Sequence, residues 1–377
     1  MIQLPPLSLY IHIPWCIRKC PYCDFNSHAV RDELPEADYI TALMADLEQE
    51  LNSVAGRELQ SIFIGGGTPS LFSAEALKEI LQGVEQRIPF AQGIEITMEA
   101  NPGTFEQEKF EGFREAGVNR LSIGIQSFQD EQLKALGRVH CSDEARHAAG
   151  TARKIFDNIN LDLMHGLPGQ GLEQALDDLR SAIALQPDHL SWYQLTIEPN
   201  TEFHSRPPSL PVDETLWTIQ EQGQVLLAAE GYAQYEISGY ARNGKQAVHN
   251  LNYWRFGDYL GIGAGAHGKV TLPTGEVLRR WKLRQPKAYI GEENRLSGAD
   301  RIAPDALPFE FMMNVLRLHQ GVDSSLFELR TGLKLETIHR QLEAARMKGL
   351  LVEDPQRLQP TQQGRLFLNN LLEMFLE

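Results

Sequence analysis

The sequence predicts an α/β fold, with six strand–helix units wound into a partial or full barrel and a small winged-helix-like module after it. Three observations predict it. From the N-terminus to about residue 241, short apolar strands alternate with amphipathic helical stretches, which implies a parallel sheet with right-handed crossovers. Glycines, carboxylates and amides gather just past the strands, at Gly65-Gly66-Gly67-Thr68, Glu99-Ala100-Asn101-Pro102, Gln126-Ser127 and Asp162. That rim is where barrels place their sites. Beyond residue 303 the pattern turns to helix after helix. An open doubly wound sheet is the rival arrangement.

Taken in order, the predicted strands are Leu7–Ile13, Ser61–Gly65, Glu95–Ala100, Arg120–Ile125, Asn158–Met164 and Leu190–Ile197. Between and after them, helical periodicity predicts helices at Asp38–Leu51, Ala74–Arg87, Phe105–Ala116, Glu144–Ile155, Leu172–Leu185 and Glu214–Glu230. Thr104-Phe105-Glu106-Gln107 reads as a capping box at the third helix. Tyr235 to Val270 is strand-like and glycine-rich around His249-Asn250-Leu251-Asn252-Tyr253-Trp254, and Arg284 to Ala303 is a polar, charged linker. The last part predicts three helices, a hairpin over Leu350–Leu358 and an amphipathic helix reaching Phe375. The expected domains are residues 1–241 for the barrel, 242–302 for the glycine-rich segment and linker, and 303–377 for the winged-helix-like domain.

Of the 377 residues, 42% are hydrophobic and 23% charged, ordinary for a globular chain with a sizeable core. Acidic residues number 50 against 35 basic ones, a net charge of −15. Such a surface repels phosphate backbones, and no Lys/Arg-rich block offsets it, so no nucleic-acid role is expected. The C-terminal module is therefore expected to pack or to act as a lid. No apolar stretch approaches the roughly 20 residues of a spanning helix. The start lacks the basic and apolar regions of a signal peptide, and a cytoplasmic location is expected.

Three of the four cysteines fall within eight residues, as Cys16-Ile17-Arg18-Lys19-Cys20-Pro21-Tyr22-Cys23. Thiolates three and four residues apart on a tight loop can converge on one face of a metal site and leave a fourth corner free. Sulfur ligation suits iron–sulfur clusters and zinc alike. Structural zinc wants four protein ligands; Cys141 is over a hundred residues away, but His12 and His28 could complete such a site. Both metals stay open at this point.

On the rim, the three glycines after the second strand let a backbone approach a ligand closely. Glu99 shares the polar face of its strand with Glu95 and Thr97. Together with Gln126, Arg138 and Asp162 it resembles a cofactor cradle. Gly263-Ala264-Gly265-Ala266-His267-Gly268 matches a dinucleotide fingerprint by letter only, because Lys269-Val270-Thr271-Leu272 reads as a strand where the fingerprint needs a helix.

The cysteine spacing, with an aromatic residue before the third cysteine at the end of a first barrel strand, resembles the radical S-adenosyl-L-methionine (SAM) superfamily. Tyr10 through Phe25, the Gly65–Ser70 segment, Glu99-Ala100-Asn101-Pro102, Gly124-Ile125-Gln126-Ser127-Phe128 and Leu161 through Pro168 narrow the likeness. With the HNLNYW segment, the chain resembles the oxygen-independent coproporphyrinogen III oxidase family over essentially its whole length, and within it the haem-chaperone branch. The resemblance implies a partial (β/α)6 barrel. It implies a [4Fe–4S] cluster on Cys16, Cys20 and Cys23, with SAM chelating the open iron and cleaved to a 5′-deoxyadenosyl radical. Tyr10, Gly66 and Glu99 match positions that hold the cluster-bound SAM. Tyr22, Gly67, Thr68, Gln126, Arg138 and Asp162 match positions that hold a second SAM in the oxidase.

Two departures bear on function. The oxidases have a further cysteine two residues past the motif, where this chain has Phe25, and they carry a substantial segment before the first strand. The implied function is therefore binding haem and transferring it to an acceptor protein, with a respiratory haemoprotein among the candidates. Radical decarboxylation of coproporphyrinogen is the alternative. His249 is the expected haem ligand, because an imidazole can ligate haem iron and Tyr253 and Trp254 can stack on a macrocycle. His267 and His165 are its rivals.

Overall fold

The computed structural model describes residues 3–30, 33–103, 106–242 and 244–376; the capping box read at Thr104-Phe105-Glu106-Gln107 rests on residues outside that set. Six strands form the barrel: β1 (Leu7–Ile13), β2 (Leu59–Gly66), β3 (Phe90–Ala100), β4 (Arg120–Gln126), β5 (Ile159–His165) and β6 (His189–Gln194). Each pairs in parallel with the next. The helices that follow are α1 (Glu36–Glu50), α2 (Ala74–Glu85), α3 (Glu106–Ala116), α4 (Ser142–Ile155), α5 (Leu172–Ala184) and α6 (Asp213–Ala229).

Alternation along the strands decides what each face carries. Leu7, Leu9, Ile11 and Ile13 are fully buried and share one core with helix residues such as Leu43, Leu47 and Leu77. The other face is largely polar. There Ser8 Oγ lies 2.7 Å from Ser61 Oγ and Tyr10 stacks on Phe63. This inner face holds Glu95 and Glu99 on β3, Arg120 and Ser122 on β4, and Asn160 and Asp162 on β5.

The sheet extends past the six strands. On one flank lie β7 (Ala233–Gln234) and β8 (Gly239–Ala241), with β8 antiparallel to β6. A helix, α7 (Val248–Trp254), then leads to β9 (Asp258–Ile262), which pairs in parallel with β1. The strands β10 (His267–Thr271), β11 (Val277–Lys282) and β12 (Leu296–Arg301) continue antiparallel. The order runs β12-β11-β10-β9-β1-β2-β3-β4-β5-β6-β8-β7. It never closes on itself, so the barrel is partial.

Two expectations are corrected here. The HNLNYW segment is helical, because the Glu95 carboxylate accepts from the N–H groups of Val248 (3.0 Å) and His249 (3.2 Å) and caps the helix start from a distant strand. Asn252 anchors α7 further, donating to Ser8 Oγ and to Asp258 O. The stretch read as a linker carries a helix, Pro286–Gly291, and the edge strand β12. A buried cation fastens α1 to this extension: Lys282 Nζ reaches Asp46 at 2.5 Å and Glu50 at 2.6 Å.

The C-terminal module has α8 (Leu307–Val315), α9 (Ser325–Thr331) and α10 (His339–Met347), with Val322–Asp323 paired antiparallel to Arg357–Leu358. Leu351 bridges Pro360 across the predicted hairpin. The final helix comes in two pieces, Gln362–Leu366 and Leu368–Glu373. Phe311, Phe327 and Leu342 share a core with Phe256 and Val277, so the module packs on the sheet extension. Among the described residues no helix is long and apolar enough to cross a membrane.

Candidate functional site

At the C-terminal ends of the barrel strands lies a cavity of about 390 Å³ whose wall includes Cys16, Cys20 and Cys23. The loop carrying them is folded back by the short parallel pair Trp15–Cys16 and His28–Ala29 and by a turn in which Cys23 N–H donates to Cys20 O. All three thiols are free. Burial pushes Cys16 and Cys23 above the ordinary thiol range, while Arg138 Nη1 lies 3.8 Å from Cys20 Sγ. Cys141 stands exposed ahead of α4, its N–H donating to Glu144, and is not part of this wall.

The glycine run shapes the floor. Gly67 N–H donates to Ile13 O at 2.8 Å and Thr68 N–H to Trp15 O at 2.6 Å, stitching the end of β2 to the start of the cysteine loop. A Cβ on Gly67 would sit 2.3 Å from Trp15 O, so no larger residue fits without moving the backbone. Gly66 N–H donates to Glu99 Oε2 at 3.1 Å. Burial, reinforced by Asp162, pushes the Glu99 carboxyl up to about 8. Asp162 is also raised by burial, although Ser122 and Asn160 donate to it at 2.9 and 2.7 Å.

Arg138 Nη2 donates to Asn101 Oδ1 (2.6 Å) and to Gly124 O (2.8 Å), and Asn101 Nδ2 donates to Thr68 Oγ1 (2.9 Å). Arg138 Nε is buried with no hydrogen-bond partner among the described residues. Gln126 follows a bulge in β4, has φ of 68°, and accepts from Tyr193 Oη at 3.0 Å. Tyr22, Gly66, Gly67, Thr68, Glu99, Gln126, Arg138 and Asp162 thus share one wall with the three cysteines. Tyr10 does not; it lies beneath, its hydroxyl 2.7 Å from His12 Nδ1. Asn101 and Tyr193 carry no role in the sequence reading, yet both brace the site. Their signal is modest: an amide just past a strand end, and an inward position in the alternation of β6.

The histidines are dispersed. His12 uses both ring nitrogens, on Tyr10 and on Asn26 O, so completing a zinc site would cost it one of these bonds. His249 lies at the opposite end of the barrel, only 5% exposed, with Nδ1 2.7 Å from Glu95 Oε1 and its ring stacked on Phe63 at 4.4 Å. Burial lowers its pKa, while the Glu95 carboxylate pulls it back up. Burial alone would raise the Glu95 carboxyl; the bond and charge of His249 bring it down to about 2. His165 is buried against Trp192 and His267 is exposed beside Trp281.

Among the described residues no three His, Cys, Asp or Glu side chains already converge at metal-binding distance. The residues nevertheless fit a cluster and a polar cofactor. The donor set is three thiols on one cavity wall, beside glycines so tightly packed on His12 and Trp15 that no Cβ fits and an arginine with an unsatisfied N–H.

A partial parallel barrel with a C-x3-C-x2-C loop at its rim defines the radical SAM class. The model of the Radical SAM superfamily matches residues 10–182, and that of the HemN C-terminal domain matches residues 302–367. The solved structure of Escherichia coli coproporphyrinogen III oxidase (HemN) aligns with a TM-score of 0.83 at 24% identity, covering 99% of this chain and 90% of that one. That likeness shows the fold. The chain is 56% identical to Heme chaperone HemW of Escherichia coli over the full length of both, and 35% identical to that of Bacillus subtilis over 98% and 99%. It is also 33% identical to the mouse mitochondrial radical S-adenosyl methionine domain-containing protein 1, over 97% of this chain and 86% of that one. The chain belongs to the HemW haem-chaperone family.

Proposed function

We propose that the chain binds haem and passes it to an acceptor protein, with a [4Fe–4S] cluster and SAM in the rim cavity. The observation that carries this reading is the 56% identity, end to end, with the Escherichia coli protein named for that role. Phe25 supports it: the residue is 60% exposed and lines the cavity where the similar oxidases have a further thiol.

When bound, the cluster and SAM supply one-electron chemistry at an open iron. Cys16, Cys20 and Cys23 would hold the cluster, and the two that burial keeps as thiols give up protons as they ligate. Glu99 would take an ammonium group, its free oxygen opposite the one fixed by Gly66 N–H. Gly67 and Thr68 keep backbone close to the ligand, and Arg138 holds the Asn101 and Gly124 walls in place. His249 would supply a ring nitrogen to the haem iron. A histidine whose Nδ1–H donates to a carboxylate keeps the Nε2 lone pair for a metal. Because His249 is buried, ligation there requires α7 to swing away from the barrel base.

Two assays test the reading. Anaerobically reconstituted protein should retain haem and should not convert coproporphyrinogen to protoporphyrinogen. Turnover above about 1 s⁻¹ would move the assignment to the oxidase. His249→Ala should shift the Soret band and leave the cluster spectrum unchanged; an unchanged Soret band would place the ligand elsewhere.

A further inference from the structure

A second cavity, of about 370 Å³, lies between the outward face of α7 and the C-terminal module. Its size falls within the roughly 300–1,000 Å³ of small-molecule sites. Leu251, from α7, and Val322 and Leu326, from the module, give it apolar walls, and Arg255 and Arg357 stand in its lining. Leu251 lies on α7, and Arg255, four residues on, is the exposed residue that ends the helix.

The charge of this lining runs against that of the chain, which is −15. The Arg255 guanidinium makes no hydrogen bond or ion pair among the described residues, and Arg330 Nε–H, donating to Arg255 O at 3.4 Å, brings another cation alongside. Arg357 donates to Gln320 O. The one carboxylate in the lining, Asp323, is held by Ser325 through its N–H and hydroxyl. Apolar walls with an unpaired guanidinium select an amphipathic anion.

The cavity is also joined to the cofactor site. Tyr235 lines it, and its hydroxyl meets His189 Nε2 at 2.9 Å and Asn250 Nδ2 at 3.3 Å. His189 Nδ1 lies 2.6 Å from Asn160 Oδ1, and Asn160 donates to Asp162 in the rim cavity. One line of hydrogen bonds therefore runs from the rim, past α7, to this second cavity.

We propose that the cavity between α7 and the C-terminal module is a docking site for the carboxylate-bearing edge of a porphyrin, with Arg255 pairing a propionate and Leu251, Val322 and Leu326 covering the ring edge. This rests on the haem-binding reading above. It gives haem a place on the protein that does not first require the buried His249 to be uncovered.

The test is titration of the full-length protein with haemin, iron-free protoporphyrin IX and protoporphyrin dimethyl ester, with thermal melting to confirm folding. Arg255→Glu should weaken haemin and protoporphyrin IX alike by about tenfold, as expected for one lost charge-assisted contact. Arg255→Lys should restore most of the affinity, and the uncharged ester should not respond to either change. Gln246→Trp, which adds bulk in the lining and removes no hydrogen bond seen in the structure, should weaken all three probes. If haemin binds and neither Arg255→Glu nor Gln246→Trp alters it, the site is wrong and the haem reading stands. If only the charge change matters, the effect is surface attraction and the enclosed site is overturned. If the unaltered protein binds no haemin or protoporphyrin, the haem reading itself falls.

Discussion

At the residue scale, the rim cavity pairs a carboxyl raised by burial with two thiols, Cys16 and Cys23, also raised by burial, and the carboxyl leads to a measurable proton. Glu99 is raised from 4.5 to about 8. A carboxyl whose folded pKa exceeds its unfolded one favours the folded state at low pH, and its contribution is lost as pH rises from 4.5 through 8. At pH 7 it is mostly protonated, so taking an ammonium group should drive out close to one proton. Calorimetry of SAM binding in buffers of different ionisation enthalpy should show that release at pH 7 and its disappearance at pH 9. Glu99→Gln should abolish the release and weaken binding by roughly 1.5–3 kcal/mol; a proton count unchanged by the substitution would remove Glu99 from the ligand. Cysteine roles separate as clearly. Cys20→Ala should cut the iron and sulfide of reconstituted protein sharply, whereas Cys141→Ser should leave both unchanged.

At the element scale, the strands and helices of the barrel were legible because alternation and helical periodicity are strong where one face is buried. Predicted and observed ends mostly agree within a few residues, as at Leu172–Ala184. The elements that were not legible include α7 and β12. In α7 the residues Val248, Tyr253 and Trp254 favour strands, and the helix exists because Glu95, on a strand 153 positions earlier, caps it. In β12 only an edge is formed, its side chains are mostly exposed, and no alternation marks it. The rim residues, Asn101 among them, were visible as chemistry out of place at strand ends; Tyr193, inside a strand, was not, since bracing leaves no pattern. The α1 anchor gives an element-scale test. Lys282→Ala would leave the buried Asp46 carboxylate without a cation and Glu50 with Arg280 alone, and should cost roughly 3–5 kcal/mol in urea unfolding. A loss below about 1 kcal/mol would mean that this contact does not hold α1 to the sheet extension.

At the scale of the whole molecule, one polar-lined barrel separates two ends with different work. The rim carries the thiols, glycines and carboxyls of the proposed cofactor site. The base carries α7, the His249–Glu95 pair and the face toward the C-terminal module. The haem-chaperone account is tested most directly by transfer: load the anaerobically reconstituted protein with haem, mix it with an apo-haemoprotein, and follow the acceptor's Soret band. The account predicts that the band grows as haem leaves this protein, and faster than from free haem. A protein that keeps its haem, or yields it no faster than free haem is taken up, contradicts it.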